Sequence, residues 1–454
     1  MKLRTVSLVI FFSLLMVVHA VARQNLEDSA GLTAHHYAER LITDEARGGD
    51  SLNRQGTSEV RPFFRSLSDA LANGEITLFF RPRAEFVSQD LVQNAEAVTH
   101  RLQLGYTTAD LYGFSGHVDF IHSFAYTPKR FNAAGLNNRP ERAVVADPKL
   151  TVLNQMFAAF YDEASHTRAQ VGRQRLILDD ARFIGNVGWR QNEQTVDGVV
   201  LESGVGIEHL RAHYSYFWQV NRVLGPQHPA GIFDSDSHLL NVSYAGLPFT
   251  TVTGYGYFLS FSGQQRSLSS DTYGGSVQSR FPMLNDRFEL DLHLSYARQE
   301  SASGLEAQRG ASADYYRAGG SIHKPSVAHV GITYEQLGSG GDQFSFNTPL
   351  ATLHAHQGWA DQLLATPVEG IRDLHVFGSL QLPADVTLFG RFHWFSTDSD
   401  SQLLARELNL SASKKISQMW SVLLKYADFW TANDATPIPL RDTRKFWIQM
   451  EFRF

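Results

Sequence analysis

The sequence predicts an all-β protein: a transmembrane antiparallel β-barrel of about 18 strands, preceded by a short N-terminal periplasmic lead-in and helix. Three observations carry that expectation. Apolar and polar residues alternate with period two over most of the chain, as in Phe288-Glu289-Leu290-Asp291-Leu292-His293-Leu294-Ser295-Tyr296. Successive strand-like stretches are joined by connections that alternate between short and long. The chain ends on an alternating strand, Lys445–Phe454, in which Phe446, Ile448, Met450, Phe452 and Phe454 share one face. Side chains on a strand point to opposite faces in turn, so this segment has one apolar and one polar face. It is similar to the closing strand of bacterial outer-membrane barrels.

In chain order, residues 1–22 come first. Lys2 and Arg4 precede an apolar run from Val6 to Val18, and Ala20-Val21-Ala22 supplies small residues spaced for cleavage, with Val18-His19-Ala20 as a rival site. That pattern is a secretory signal peptide, and the run is too short to span a bilayer comfortably. Residues 23–75 form a polar lead-in without alternation. A short helix is expected near its end, capped by Ser66 or Ser68 and stopped by Gly74.

Residues 76–454 are the barrel. Candidate strands run over 76–86, 96–106, 111–122, 152–162, 166–176, 194–203, 205–218, 237–246 and 249–261. The second half continues with 270–281, 286–299, 312–323, 327–337, 372–382, 385–396, 404–413, 417–429 and 443–454. Their lengths suit tilted membrane strands better than the short strands of soluble sheets. Short turns such as 163–165, 247–248 and 383–384 alternate with long loops such as 123–151, 177–193 and 338–371. An even strand count puts both chain ends on the periplasmic side.

Composition agrees. There are no cysteines, which removes disulfides and thiolate metal sites, and the 31 Phe, 16 Tyr and seven Trp suit strands and interfacial girdles. The mean hydropathy of −0.22 is what a barrel gives when only alternate residues meet lipid. No stretch after the signal has the length and continuous apolarity of a membrane helix. The net charge of −6 grows more negative once Lys2 and Arg4 depart, so nucleic acid is not an expected partner.

If the apolar parity meets lipid, the polar parity faces the lumen. It carries Arg81, Arg83, Arg101, Arg168, Arg211, Arg391 and Lys425, with Glu85, Asp119, His209, His213, Asn241, Glu335, His375, His393 and Gln449 among them. The densest charge run is Arg168, Arg173, Arg175, Asp179, Asp180, Arg182 and Arg190. Focused positive charge of this kind makes a pore constriction that attracts anions, or equally a salt-bridge network that pins a loop to the wall. The histidine pairs His35-His36, His209 with His213, and His354 with His356 lack a third fixed ligand, so no metal site is expected. No nucleophile elbow or phosphate-cradling glycine loop is present, so no catalytic residue, enzyme activity or cofactor is expected.

Four segments bear a family likeness. One is Val171-Gly172-Arg173-Gln174-Arg175, with Arg182-Phe183-Ile184-Gly185 and Gly188-Trp189-Arg190-Gln191-Asn192-Glu193-Gln194-Thr195-Val196-Asp197. Others are Ser68–Gly74 running into Leu78–Glu85, Thr348–Asp361, and Gly370–Leu374. Together they resemble the alginate export family of outer-membrane channels, along nearly the whole mature chain. The resemblance implies an eighteen-stranded barrel and a pore for anionic polysaccharide. Its matched charged positions are Arg81, Arg83, Arg173, Arg175, Arg182, Arg190 and Asp197, and loop 338–371 becomes a candidate to fold over or into the lumen. The lumen face departs from a plainly cationic lining by mixing Glu, Asp and His among the Arg.

The expected function is an outer-membrane channel that passes anionic saccharides or an alginate-like polyuronate, by export or uptake. A general or small-organic-acid porin is the alternative. A barrel-embedded hydrolase and a soluble secreted β-rich module are weaker rivals. Expected partners are outer-membrane lipid and lipopolysaccharide, the barrel assembly machinery, and an anionic sugar or organic-acid solute.

Overall fold

A computed structural model describes residues 66–454, apart from 205, 342 and 433–437. The expected signal peptide, most of the expected lead-in and the His35-His36 pair lie outside the described residues. A single helical turn and a half, α1 (Leu67–Ala72), precedes the strands. Its cap is Ser66, whose hydroxyl accepts the Asp69 amide at 3.1 Å, so the hydroxyl satisfies an amide that has no partner within the helix.

The first nine strands are β1 (Glu75–Gln89), β2 (Ala95–Thr107), β3 (Phe114–Ala125), β4 (Leu150–Asp162), β5 (Thr167–Gln174), β6 (Thr195–Ser203), β7 (Leu210–Asn221), β8 (Ile232–Leu247) and β9 (Thr250–Leu259). The rest are β10 (Ser270–Met283), β11 (Phe288–Ser301), β12 (Ser312–Lys324), β13 (Ala328–Leu337), β14 (Ile371–Leu382), β15 (Val386–Ser396), β16 (Leu403–Lys415), β17 (Trp420–Thr431) and β18 (Thr443–Arg453). Each pairs antiparallel with its sequence neighbours, and β1 also pairs with β18, so the 18-stranded sheet closes on itself. Closure leaves no open edge in lipid, where an unpaired amide would be costly.

Burial follows the parity read from sequence. Along β18, Phe446 and Ile448 are exposed while Lys445, Trp447 and Gln449 are buried. On β11, Leu292, Leu294 and Tyr296 point outward. Tyr214, Trp218, Tyr244, Phe258, Tyr273 and Tyr316 are also exposed, on neighbouring strands. A closed barrel with an apolar outer face is a membrane-spanning wall.

Connections on the rim where β1 begins and β18 ends are short, for example 163–166, 248–249 and 325–327. On the opposite rim lie 126–149, 175–194 and 338–370. Two expectations need correction. Strand β5 stops at Gln174 rather than 176, because the chain leaves the wall there and turns inward. His209 lies in the turn before β7, with Glu208 at 3.3 Å, so it stands at the mouth of the lumen rather than on a strand of the wall.

Candidate pore and its plug

Two loops fill the lumen. Residues 175–194, between β5 and β6, and residues 338–370, between β13 and β14, meet through a parallel bridge of Ile184 with Leu350. The Gly185 amide donates to the Leu350 carbonyl at 2.9 Å, and the Thr352 amide to the Ala181 carbonyl at 3.0 Å. A side chain at Gly185 would place its Cβ 2.3 Å from Thr352 Oγ1, so glycine is required for the two loops to touch. Leu176, Leu178, Ile184, Trp189, Phe344, Phe346, Leu350 and Trp359 then form one apolar core with wall residues Tyr257, Tyr315, Phe389 and Trp447. This body is a plug with its own hydrophobic interior.

The plug is fastened by charge. Glu193 accepts from Arg175 Nε at 2.8 Å, from Arg101 Nη2 at 3.1 Å, and from the amides of Asn154 and Asn186 at 2.6 and 2.8 Å. Burial alone would push the Glu193 carboxyl up, but Arg175 and Arg101 more than offset it and hold it at about 2. Asp361 accepts from Arg190 at 2.6 Å, Lys445 at 2.7 Å and His354 at 2.7 Å. Lys445, His354 and Arg190 outweigh its burial and keep it well below the usual carboxylate range. Arg182 donates to Glu335 on β13 at 2.8 Å, and Tyr315 donates to the same oxygen at 2.6 Å.

Cations on the wall reach in from the other side. Arg81 donates to the Gly188 carbonyl at 2.9 Å and also to Arg190. Arg83 donates to the Trp189 carbonyl and lies 3.8 Å from the centre of that ring. Its other arm reaches Gln449 at 2.8 Å, and Asp147 of loop 126–149 stands 3.7 Å away. Arg391 donates to the Ala355 carbonyl at 3.0 Å. Lys425 sits 4.0 Å from the Trp189 ring and 3.7 Å from the Trp359 ring, with His354 Nε2 at 2.9 Å. Cation–π contacts of this kind strengthen when water is excluded.

The residues singled out from sequence therefore divide. Arg81, Arg83, Arg101, Arg175, Arg182, Arg190, Arg391 and Lys425 converge on the plug and are engaged by carboxylates, carbonyls or rings. Arg173 makes a two-point pair with Asp197 across β5 and β6, at 2.7 and 2.8 Å. Arg173, Arg175, Asp180, Arg182 and Arg190 of the charge run are thus engaged in ion pairs. Arg168 and Arg211 stand elsewhere, with no ion pair among the described residues. They line a cavity of about 1010 Å³ that runs from the terminal rim, at His166 and His209, up to Leu176 and Asp179 at the base of the plug. Gln170, His213 and Asn241 share its wall, and Asp179, Glu202 and Glu208 are its acidic members.

The histidine pairs serve the plug and wall separately. His354 bridges Asp361 and Lys425, while His356 Nε2 lies 3.2 Å from the Asp180 carbonyl. Burial holds His356 neutral down to about 3. Glu193, Asp361, Asp147, Trp189 and Trp359 were not singled out as site residues, although each sits in a loop without alternation. Acidic residues in such loops were the available signal, since every buried arginine of the wall needs a counter-charge.

No family model and no curated relative matches the chain. Solved structures do. The barrel is similar to OccAB2 of Acinetobacter baumannii, with a TM-score of 0.64 at 14% identity, covering 85% of this chain and 99% of that one. It is similar to OccK3 (OpdO) of Pseudomonas aeruginosa, with a TM-score of 0.63 at 12% identity and coverage of 86% and 97%. OccD3 (OpdP) of the same organism matches with a TM-score of 0.60 at 14% identity, covering 85% and 92%. These neighbours are outer-membrane porins, and the chain has their 18-stranded barrel fold. The likeness does not single out alginate export.

Proposed function

We propose that the protein is an outer-membrane channel for small hydrophilic anions, with uronate-type saccharides and organic acids as the solute class, and that it is not an enzyme. The observation that carries this is the cavity below the plug, where Arg168 and Arg211 project without an ion-pair partner while the other arginines of the run are engaged. A cation on a low-dielectric wall raises the local concentration of anions and sets the sign of the permeant ion. The porin fold of the solved neighbours supports the channel reading.

Passage of a polyuronate is the second reading. It rests on the likeness of residues 171–198 to the alginate export family, and those residues include the inner loop of the plug. With both loops seated, the lumen suits small solutes, and a polymer would need the plug displaced. Single-channel recording in asymmetric salt tests the first reading: a reversal potential on the anion side is expected, and cation preference would overturn it. Blockade by uronate oligomers but not by neutral glucans of equal length would favour the second.

A further inference from the structure

The wall opposite the arginine-lined cavity contains a second buried polar cluster, on β14, β15 and β16. Asp373 and His375 are two residues apart on β14 and so face the same side. His393 on β15 stands across from His375 in the ladder, and Glu407 on β16 stands across from His393. Asp373, His393 and Glu407 are fully buried, and His375 is 7% exposed.

Both imidazoles turn the same nitrogen to one carboxylate. His375 Nδ1 lies 2.9 Å from Asp373 Oδ2, and His393 Nδ1 lies 3.0 and 2.9 Å from Oδ1 and Oδ2. The two rings are 4.9 Å apart, and one ligand atom from each of the three residues falls within 4.8 Å of the others. Two further atoms are buried with no hydrogen-bond partner: His393 Nε2 and Glu407 Oε2. Asp373 has only these two imidazoles as ion-pair partners among the described residues. A carboxylate buried in the wall with only imidazoles as ion-pair partners lacks full charge compensation, which is costly.

We propose that Asp373, His375 and His393 bind a divalent transition-metal ion of the zinc class. Two imidazole nitrogens and one carboxylate oxygen form the three-ligand set that such ions take, at about 2.0–2.2 Å per bond. A dication supplies the charge that the buried Asp373 carboxylate lacks. Uptake moves the imidazole proton from Nδ1 to Nε2, and Glu407, across the ladder from His393, would serve as the outer-shell acceptor through its Oε2, the one carboxylate oxygen without a hydrogen-bond partner. Glu407 Oε1 already accepts the Ala360 amide at 2.9 Å, and Gly358 packs so closely that a Cβ there would lie 2.1 Å from Oε2. The ion would therefore stiffen the wall against which loop 338–370 rests. This inference stands independently of the transport reading.

The test uses the full barrel in detergent, stripped with a chelator, with heat-modifiable gel migration as the folding check. Zn²⁺ alone is titrated by calorimetry, and Cu²⁺ is added for electron paramagnetic resonance. The expected result is one equivalent bound, weakened at least tenfold in His375→Ala and His393→Ala, and unchanged in His238→Ala on the outer face. The Cu²⁺ spectrum of the unaltered protein should show two coupled nitrogens, and one in His393→Ala. If the variants fail to fold, the two-nitrogen signature of the unaltered protein decides. Absence of stoichiometric binding, binding equal in the variants, or a Cu²⁺ spectrum without two nitrogens would mean a hydrogen-bonded carboxylate–imidazole cluster only, and would overturn the proposal.

Discussion

Arg175 and Glu193 sit at the two ends of the inner plug loop and clasp it shut, Arg175 Nε donating to Glu193 Oε2 at 2.8 Å. One residue has just left β5 and the other is about to enter β6. The loop is thus tied at its neck, and the same carboxylate fixes the neck to Arg101 on β2.

Glu193→Gln should loosen the plug without opening the barrel. Removing one partner strands two buried guanidiniums, a loss of about 3–5 kcal/mol. The expected readout is a larger and noisier single-channel conductance with normal heat-modifiable migration. Conductance unchanged from the parent would show that the neck clasp does not hold the plug.

Acid should act on the same latch. The His356 imidazole has its ordinary value of 6.5 lowered to about 3 when seated, so the detached plug binds the extra proton and seating weakens as pH falls below 6.5. Glu193 has its ordinary value of 4.5 lowered to about 2, so its contribution is full above 4.5 and is lost as pH falls from there toward 2. Both groups favour the detached plug in acid, each by about 1.4 kcal/mol per pH unit within its window. Conductance recorded from pH 7 to pH 4 should rise, and His356→Gln should remove the part that begins below 6.5. A flat profile would contradict this.

Ion selectivity should follow Arg168 and Arg211 and ignore Arg173. Arg168→Ala combined with Arg211→Ala is expected to move the reversal potential toward cation preference. Arg173→Ala should leave it nearly in place, because Asp197 already neutralises that guanidinium. The opposite ranking would return the pore-lining role to the β5–β6 pair.

Lys425→Met keeps the length of the side chain but removes the cation between Trp189 and Trp359. Loss of a desolvated cation–π contact is worth roughly 2 kcal/mol. Intrinsic tryptophan emission should shift, with the plug more easily cleaved by added protease. Unaltered emission and protection would show that the three-tryptophan packing suffices alone.

Ile448→Arg tests the wall parity directly. A charge on the lipid face costs about 2–4 kcal/mol near the bilayer midplane. Reversible unfolding in liposomes should register that loss, whereas an arginine tolerated there would mean the face is wet.

The strands were legible because period-two alternation is local: Phe446, Ile448 and their neighbours declare their faces without any knowledge of partners. Loop lengths were legible for the same reason. The inner loop was not, since its contacts join residues such as Arg81 and Gln191, which no local pattern connects. Arginines such as Arg83 and Arg101 were placed on the correct face, but whether they met water or a carboxylate depended on where Glu193 and Asp147 came to rest. His393 was read as ordinary wall, because its relation to Asp373 needs the β14–β15 register.

Arg83 touches both sides of the β1–β18 seam and the tip of the plug at once, through Gln449 and Trp189. Lys445 on β18 adds its own grip on Asp361 of the second loop. The plug therefore acts as a rivet across the joint that turns a ribbon into a tube. The part of its docking surface formed by Arg83, Gln449 and Lys445 is complete only where the first and last strands meet, and a seated stopper resists any tearing at that weld.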